Sequence, residues 1–278
     1  MLGCRKEAFG TTAAGEAVSL YRLSNHAGAY VELLDCGCAV KGIWVPNRAG
    51  VLQNVVRGFS SLEEYEAEAR PGGALLLGPA ENGADEVPFA EGMWNFVAAG
   101  ENFVSFQKFH AGKEDFLDMS VRFMWVDYNR LVIDLSVVPG EDVSLSPSSG
   151  IPFRLSENDP SGELLRLFGC TPLTPESAGA LSAGPLRFAE FRRMPGELSF
   201  LTEDAGIHPL AEWASPESGL SLSVYSTMPG LRIRRTAEPG TAVQFMPLLL
   251  DESGRVPPAK GGREILQRII YAFDPFSG

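Results

Sequence analysis

A chain of 278 residues can hold one large domain or two small ones, and it is long enough to bury a substantial core. Its 23 basic against 35 acidic residues give a formal charge of −12, which argues against a nucleic-acid polyanion or an anionic bilayer as main partner and favours an uncharged ligand. A hydrophobic content of 45% excludes disorder, and 30 Gly with 20 Pro exclude a helical bundle, because inside a helix each costs about 1 or about 3 kcal/mol against Ala; short strands joined by turns are expected instead.

Arg5 and Lys6 have no apolar run behind them, which predicts no secretory signal, and no window holds enough consecutive apolar residues for a transmembrane helix. Residues 17–24 and 29–34 alternate apolar and polar side chains around an Asn25 to Gly28 turn and predict an antiparallel hairpin. Cys36 and Cys38 flank Gly37 in a strand-like run, where a period of two points both thiols to one face as small buried hydrophobes. Together with Cys4 and Cys170 they form neither a disulfide scaffold nor a CxxC metal site, and a reducing cytoplasm is the expected home. The run 38–45 ends in turn chemistry at Pro46 to Gly50, and a further β element is expected over 51–56. Residues 61–70 form the one predicted helix, with Ser61 and Glu64 spaced as a capping box and Pro71 as the stop.

Alternation resumes at 95–98, 103–109, 116–125 and 131–138, with turns between, a spacing that suits a sandwich or barrel. The segment 144–184 is rich in Ser, Pro and Gly and reads as long loops along one wall of a cleft. Strands return at 198–201, 220–225, 231–236, 241–250 and 264–273. Arg232, Arg234 and Arg235 look like a solvated edge. No linker or composition shift divides the chain, so residues 1–278 are read as a single all-β domain, a large antiparallel β-sandwich with few short helices.

The order of motifs is specific. Tyr21-Arg-Leu-Ser-Asn-His-Ala-Gly28, Gly37-Cys-Ala-Val-Lys-Gly-Ile-Trp-Val-Pro-Asn-Arg-Ala-Gly50 and Asn54-Val-Val-Arg-Gly-Phe-Ser-Ser-Leu-Glu-Glu-Tyr65 resemble the opening of the aldose 1-epimerase, or galactose mutarotase-like, family. Ser218-Gly-Leu-Ser-Leu-Ser-Val-Tyr-Ser-Thr-Met-Pro-Gly-Leu231 is similar to a later strand of that family, and Ile269-Ile-Tyr-Ala-Phe273 to its closing strand. The resemblance implies a supersandwich with a sugar-sized cleft on a concave face.

Mutarotation needs a base for the anomeric hydroxyl proton and an acid for the ring oxygen, with pKa values near the working pH. The family supplies a Glu and a His. On the resemblance, Gly78-Pro-Ala-Glu-Asn-Gly83 keeps Asn82 but puts Pro79 and Gly83 at two arginine positions. Asn102-Phe-Val-Ser-Phe-Gln107 puts Ser105 at the first histidine, Gly150 stands at the acid histidine, His208 at a sugar-binding aspartate, and Gln244 at the base. An amide is no general base, so the resemblance carries the fold and a cleft without the mechanism. Three readings compete. A neutral sugar binds in a cleft lined by Asn82, Ser105, Gln107, His208 and Gln244, with Trp44, Trp94 or Trp213 stacking on it; or an epimerase for another sugar uses His208 and Glu81 as acid and base; or the chain is a structural or partner-binding relative. His26 and His110 read as surface residues, no spacing of His, Asp and Glu implies a metal, and no cofactor is expected.

Overall fold

The computed structural model describes residues 3–67, 75–78, 92–111, 116–157, 162–173, 186–187, 197–202, 206–235, 242–253 and 255–276. The first five strands, β1 (Gly3–Thr11), β2 (Ala17–Ser24), β3 (Tyr30–Leu34), β4 (Val40–Pro46) and β5 (Leu52–Asn54), form an antiparallel sheet in chain order. Its turns follow from side-chain chemistry. Asn25 Oδ1 accepts from Ala29 N at 3.0 Å and Gly28 takes φ 83°, while Asn47 Oδ1 accepts from Ala49 and Val51 and Gly50 takes φ 76°. Helix α1 (Leu62–Ala67) starts at the expected capping box, with Ser61 Oγ accepting from Glu64 N and Glu64 Oε2 accepting from Ser60 N and Ser61 N. Residues 68–70 of the predicted helix lie outside the described residues.

The remaining strands are β6 (Leu75–Gly78), β7 (Asn95–Ala99), β8 (Phe103–Ala111), β9 (Phe116–Val126), β10 (Arg130–Pro139), β11 (Val143–Ser144), β12 (Ser146–Ser149), β13 (Pro152–Phe153), β14 (Leu164–Leu167) and β15 (Cys170–Pro172). They continue as β16 (Leu186–Arg187), β17 (Glu197–Thr202), β18 (His208–Ser215), β19 (Leu220–Ser226), β20 (Gly230–Arg235), β21 (Val243–Leu248), β22 (Pro258–Ala259) and β23 (Ile265–Pro275). Nine strands make the large sheet in the order β16-β14-β18-β19-β23-β10-β9-β8-β7, and a second five-stranded sheet runs β13-β21-β20-β17-β15. The chain is therefore all-β.

The large sheet buries one face under both smaller sheets. Alternate residues such as Phe106, Phe123, Ile133, Leu222 and Tyr271 are almost wholly inaccessible and join Tyr21, Ile43, Phe200 and Phe245 in one core cluster. Aromatic contacts cross the layers, Tyr21 to Phe106 at 5.1 Å on one half and Phe153 to Tyr271 at 4.8 Å on the other. An isolated bridge between Val56 and Phe153, with Arg57 N donating to Pro152 O and Arg154 N to Val55 O, stitches the two five-stranded sheets edge to edge. Among the described residues no helix is long and apolar enough to cross a membrane.

Several sequence expectations are corrected. Residues 36–39 form a turn, in which Gly37 and Cys38 take φ 64° and 47°. Cys38 therefore enters the main core while Cys36 packs on the smaller cluster under α1, and the two thiols do not share a face. The segment read as loops after residue 144 contains the short strands β11 to β15. Their backbone bonds consume buried groups such as Ser146, Ser148 and Ser149 that have no alternating partner in sequence. Arg232, Arg234 and Arg235 do not mark an edge: β20 lies between β17 and β21.

Candidate functional site

Period-two alternation decides what the second five-stranded sheet shows to the outside. Leu198, Phe200, Leu231, Ile233, Val243 and Phe245 all point into the main core, so Ser199, Arg232, Arg234, Gln244 and Met246 stand on the opposite face. One end of that face is closed by a small apolar cluster of Met246, Leu248, Leu250 and Val256, with Leu173 and Leu201 against it. The other end is polar: Ser199 is the register partner of Arg232, and Arg234 that of Gln244, all four half-buried. Gln244 Nε2 donates to Gly150 O at 2.8 Å, fixing the amide against the β12–β13 connection. Strand β6 pairs antiparallel with β12, Leu75 opposite Ser149 beside Gly150 and Gly78 opposite Ser146, so the strand's last residue lies at the far end of β12 from that corner.

Other polar groups are sealed inside. His208 is 5% exposed; its Nδ1 lies 2.9 Å from Gly206 O and its Nε2 2.8 Å from Thr202 Oγ1. The carbonyl can only accept, so these partners assign the proton to Nδ1 and let Nε2 accept from the Thr202 hydroxyl. Thr202 continues the inward series Leu198, Phe200, Thr202, so His208 sits between the layers, on the other side of the sheet from Gln244.

A second sealed cluster is one that sequence reasoning missed. Glu163 is 1% exposed; its Oε1 accepts from the Ser156 hydroxyl, which also lies 2.8 Å from Ser215 Oγ, and its Oε2 has no well-formed hydrogen bond. Burial pushes its carboxyl up to about 8, with the Ser156 hydroxyl and the Trp213 indole pulling the other way and Glu217 adding to the rise. The only signal in the sequence is a Glu placed directly before Leu164 and Leu165, too weak to single it out.

The residues proposed to line one cleft are thus placed apart. Ser105 and Gln107 stand on the outer face of β8, between the inward Val104 and Phe106, and Gln107 Nε2 donates to Asp118 at 3.0 Å. They share a shallow groove with Ser120, Arg122, Asp134 and Ser136 on the far side of the nine-stranded sheet, a full sandwich away from Gln244. His208 is interior, and Gln244 alone of the described set lies on the open polar face. Glu81 and Asn82 lie outside the described residues. Trp94 and Trp213 are core residues, and Trp44 is stacked on Tyr30 at 4.7 Å, so none of the three offers a ring to that face. His26 is the exposed turn residue expected, its Nδ1 3.2 Å from Asp127 Oδ1. Among the described residues no group of His, Cys, Asp and Glu has the arrangement of a metal site.

No family model matches the chain, and no curated protein matches it in sequence. Solved structures match it in fold. The GalM/aldose epimerase homologue from C. elegans superposes with a TM-score of 0.79 at 14% identity, over 98% of this chain and 100% of the other. Galactose 1-epimerase from Lactobacillus acidophilus gives 0.74 at 15% identity over 100% of both chains, and a putative aldose 1-epimerase from Escherichia coli 0.66 at 13% over 93% and 100%. The chain therefore has the galactose mutarotase-like fold over essentially its whole length.

Proposed function

We propose that the protein binds a carbohydrate on the polar face formed by Ser199, Arg232, Arg234 and Gln244, and that it does so without the acid–base pair of a mutarotase. The observation that carries this reading is the 2.8 Å bond from Gln244 Nε2 to Gly150 O. It joins the two positions at which the family resemblance puts base and acid. Convergence of these two motif positions at one face argues that a family-type ligand corner is retained with its chemistry exchanged.

The exchange suits binding better than proton transfer. With one N–H held by Gly150 O, the Gln244 amide keeps its oxygen acceptor and a second N–H donor for sugar hydroxyls. Neither Gln244 nor Gly150 can take or give a proton at neutral pH, and His208 spends both ring nitrogens on Thr202 and Gly206 inside the sandwich. Galactose 1-epimerase from Lactobacillus acidophilus, which shares the fold, makes galactose the first sugar to test.

The test is titration of the full chain with galactose and glucose by calorimetry and ligand-observed NMR, alongside NMR of α and β anomer interconversion. Saturable binding with interconversion no faster than in buffer is the expected result. Acceleration over buffer would replace this reading with an epimerase, and failure of every sugar in a broad panel to bind would leave a structural or partner-binding relative.

A further inference from the structure

We infer that the end of the sandwich where three hairpin turns meet, β2–β3, β7–β8 and β9–β10, is a second saccharide site, sized for one neutral sugar ring. It is built from other sheets than the Gln244 face and shares no residue with it, so it stands whether or not a ligand binds there.

Local chemistry makes each turn and pins it to the next. Asn25 opens the first, Gly100 N donates to Phe103 O at 2.9 Å across the second, and Asp127-Tyr-Asn forms the third. Asn25 is 7% exposed and its Nδ2 donates to Asn129 Oδ1 at 3.0 Å, Trp125 N donates to Asn102 O at 2.8 Å, and His26 Nδ1 lies 3.2 Å from Asp127 Oδ1. Turns fixed to one another before a ligand arrives lower the ordering cost of binding. Between them lies a hollow of about 230 Å³ whose polar lining includes Ser24, His26, Glu101, Asn102 and Asp127. Drug-sized pockets run to roughly 300–1,000 Å³, so this one has room for a single ring.

The lining has polar atoms to spare. Among the described residues the side chains of Ser24, Glu101 and Asn102 make no hydrogen bond or ion pair, and Asp127 Oδ2 is likewise free. Sugar hydroxyls both donate and accept: the carboxylates take their protons in short charge-assisted bonds, and the amide, the serine and His26 Nε2 meet the rest. Arg130, which follows the third turn, is spent on Tyr128 O and Asp274. Tyr128 supplies a ring to stack on the sugar's apolar face. It is 82% exposed, has no ring neighbour among the described residues, and holds φ 63°, a region that Asn or Gly adopts more readily than a bulky side chain. Packing does not explain an aromatic in that place; presentation to a ligand does.

The experiment titrates galactose, glucose and glucosamine into the intact chain by calorimetry and ligand-observed NMR, beginning with Gln244→Ala so that the other face is disabled. Binding of galactose or glucose is expected to persist in that variant. Adding Glu101→Gln and Tyr128→Asn is expected to weaken it about tenfold or more, with an unfolding midpoint that holds or rises because the strain at residue 128 is relieved. In the chain with Gln244 intact, the same two changes leave the binding that Gln244 supports. Loss of all sugar binding in Gln244→Ala overturns the second site and leaves the first standing. Binding undiminished by Glu101→Gln with Tyr128→Asn, or a fall in the unfolding midpoint of Tyr128→Asn, also overturns it. So does glucosamine binding about tenfold or more tighter than glucose with an advantage that fades between about 50 and about 500 mM salt, because the hollow would then be a cation site. Binding of no sugar to the unaltered chain overturns both sites.

Discussion

Glu163 and Gln244 are both polar residues presented by strands or strand ends of one sandwich, yet their surroundings ask opposite things of them. Glu163 is sealed, with one oxygen on the Ser156 hydroxyl and the other without a well-formed bond, so a proton on its carboxyl is the cheaper way to neutralise it. Gln244 stands on a half-open face beside two arginines, where water or a ligand can meet whatever the protein leaves unpaired. Sealed polar groups therefore spend their chemistry on stability and its pH dependence, and open ones remain available for recognition. A strong pKa perturbation alone would have marked Glu163 as the functional residue; accessibility points to the other cluster.

The largest expected effect tests the sealed side. Glu163 holds its proton up to about pH 8 in the folded chain, while in the unfolded chain it releases it near the ordinary value of 4.5. Between those limits the native state binds more protons than the unfolded state, so stability falls as pH rises through the window and levels off above it. The full amplitude is on the order of 3–5 kcal/mol. Described groups facing the carboxyl are Ser156, Ser215, Trp213 and Glu217, and of these only Glu217 carries an ionisable carboxyl. Glu163→Gln is isosteric and permanently neutral. Urea unfolding at about pH 5 and about pH 8 is expected to give the variant a loss smaller than that of the unaltered chain by about 2 kcal/mol or more. Parallel losses in the two proteins would mean that the site is wet enough to hold a carboxylate, and the contrast with the open face would collapse.

His208 sharpens the same contrast, because motif order makes it a ligand contact and geometry makes it a brace. His208→Ala removes a buried ring and strands the Thr202 hydroxyl, for an expected loss of about 2–3 kcal/mol in unfolding experiments. Sugar affinity of the folded fraction is expected to stay unchanged. A variant that keeps its stability and loses sugar binding would move His208 from the interior to the site.

How much of this was legible in the sequence depended on local periodicity. The hairpin β2–β3, the turns at Asn25 and Asn47, the capping box at Ser61 and the long strands β8, β9 and β10 could be read because one face of each is buried and the other wet. Strand β18 could not, since its burial is nearly continuous, it opens on His208-Pro209, and it carries a bulge between Pro209 and Ala211. Strand β1 is a largely exposed edge with no apolar rhythm. Motif order placed Gln244 and Gly150 together, which local pattern alone could not have done. It failed for Ser105, because alternation on β8 turns that residue outward whatever its place in the motif. The arginines of β20 were misread for want of pairing information: nothing in Leu-Arg-Ile-Arg-Arg says whether a strand has one neighbour or two.

The smallest effect probes the open side directly. Gln244→Ala removes a single hydrogen bond to Gly150 O, and at a half-buried position water can replace the lost donor, so the expected cost is about 1 kcal/mol or less with an unchanged urea dependence. The measurement is equilibrium unfolding of the variant beside the unaltered chain, followed by sugar titration. If the face is open, stability barely moves while carbohydrate affinity drops, because the amide's remaining oxygen and N–H are lost to the ligand as well. A loss above about 2 kcal/mol would show that Gly150 O is sealed from water as Glu163 is, since only a buried acceptor left unpaired costs that much. In that case the polar face of the five-stranded sheet would be another interior network, and the search for the ligand would have to move to the grooves of the nine-stranded sheet.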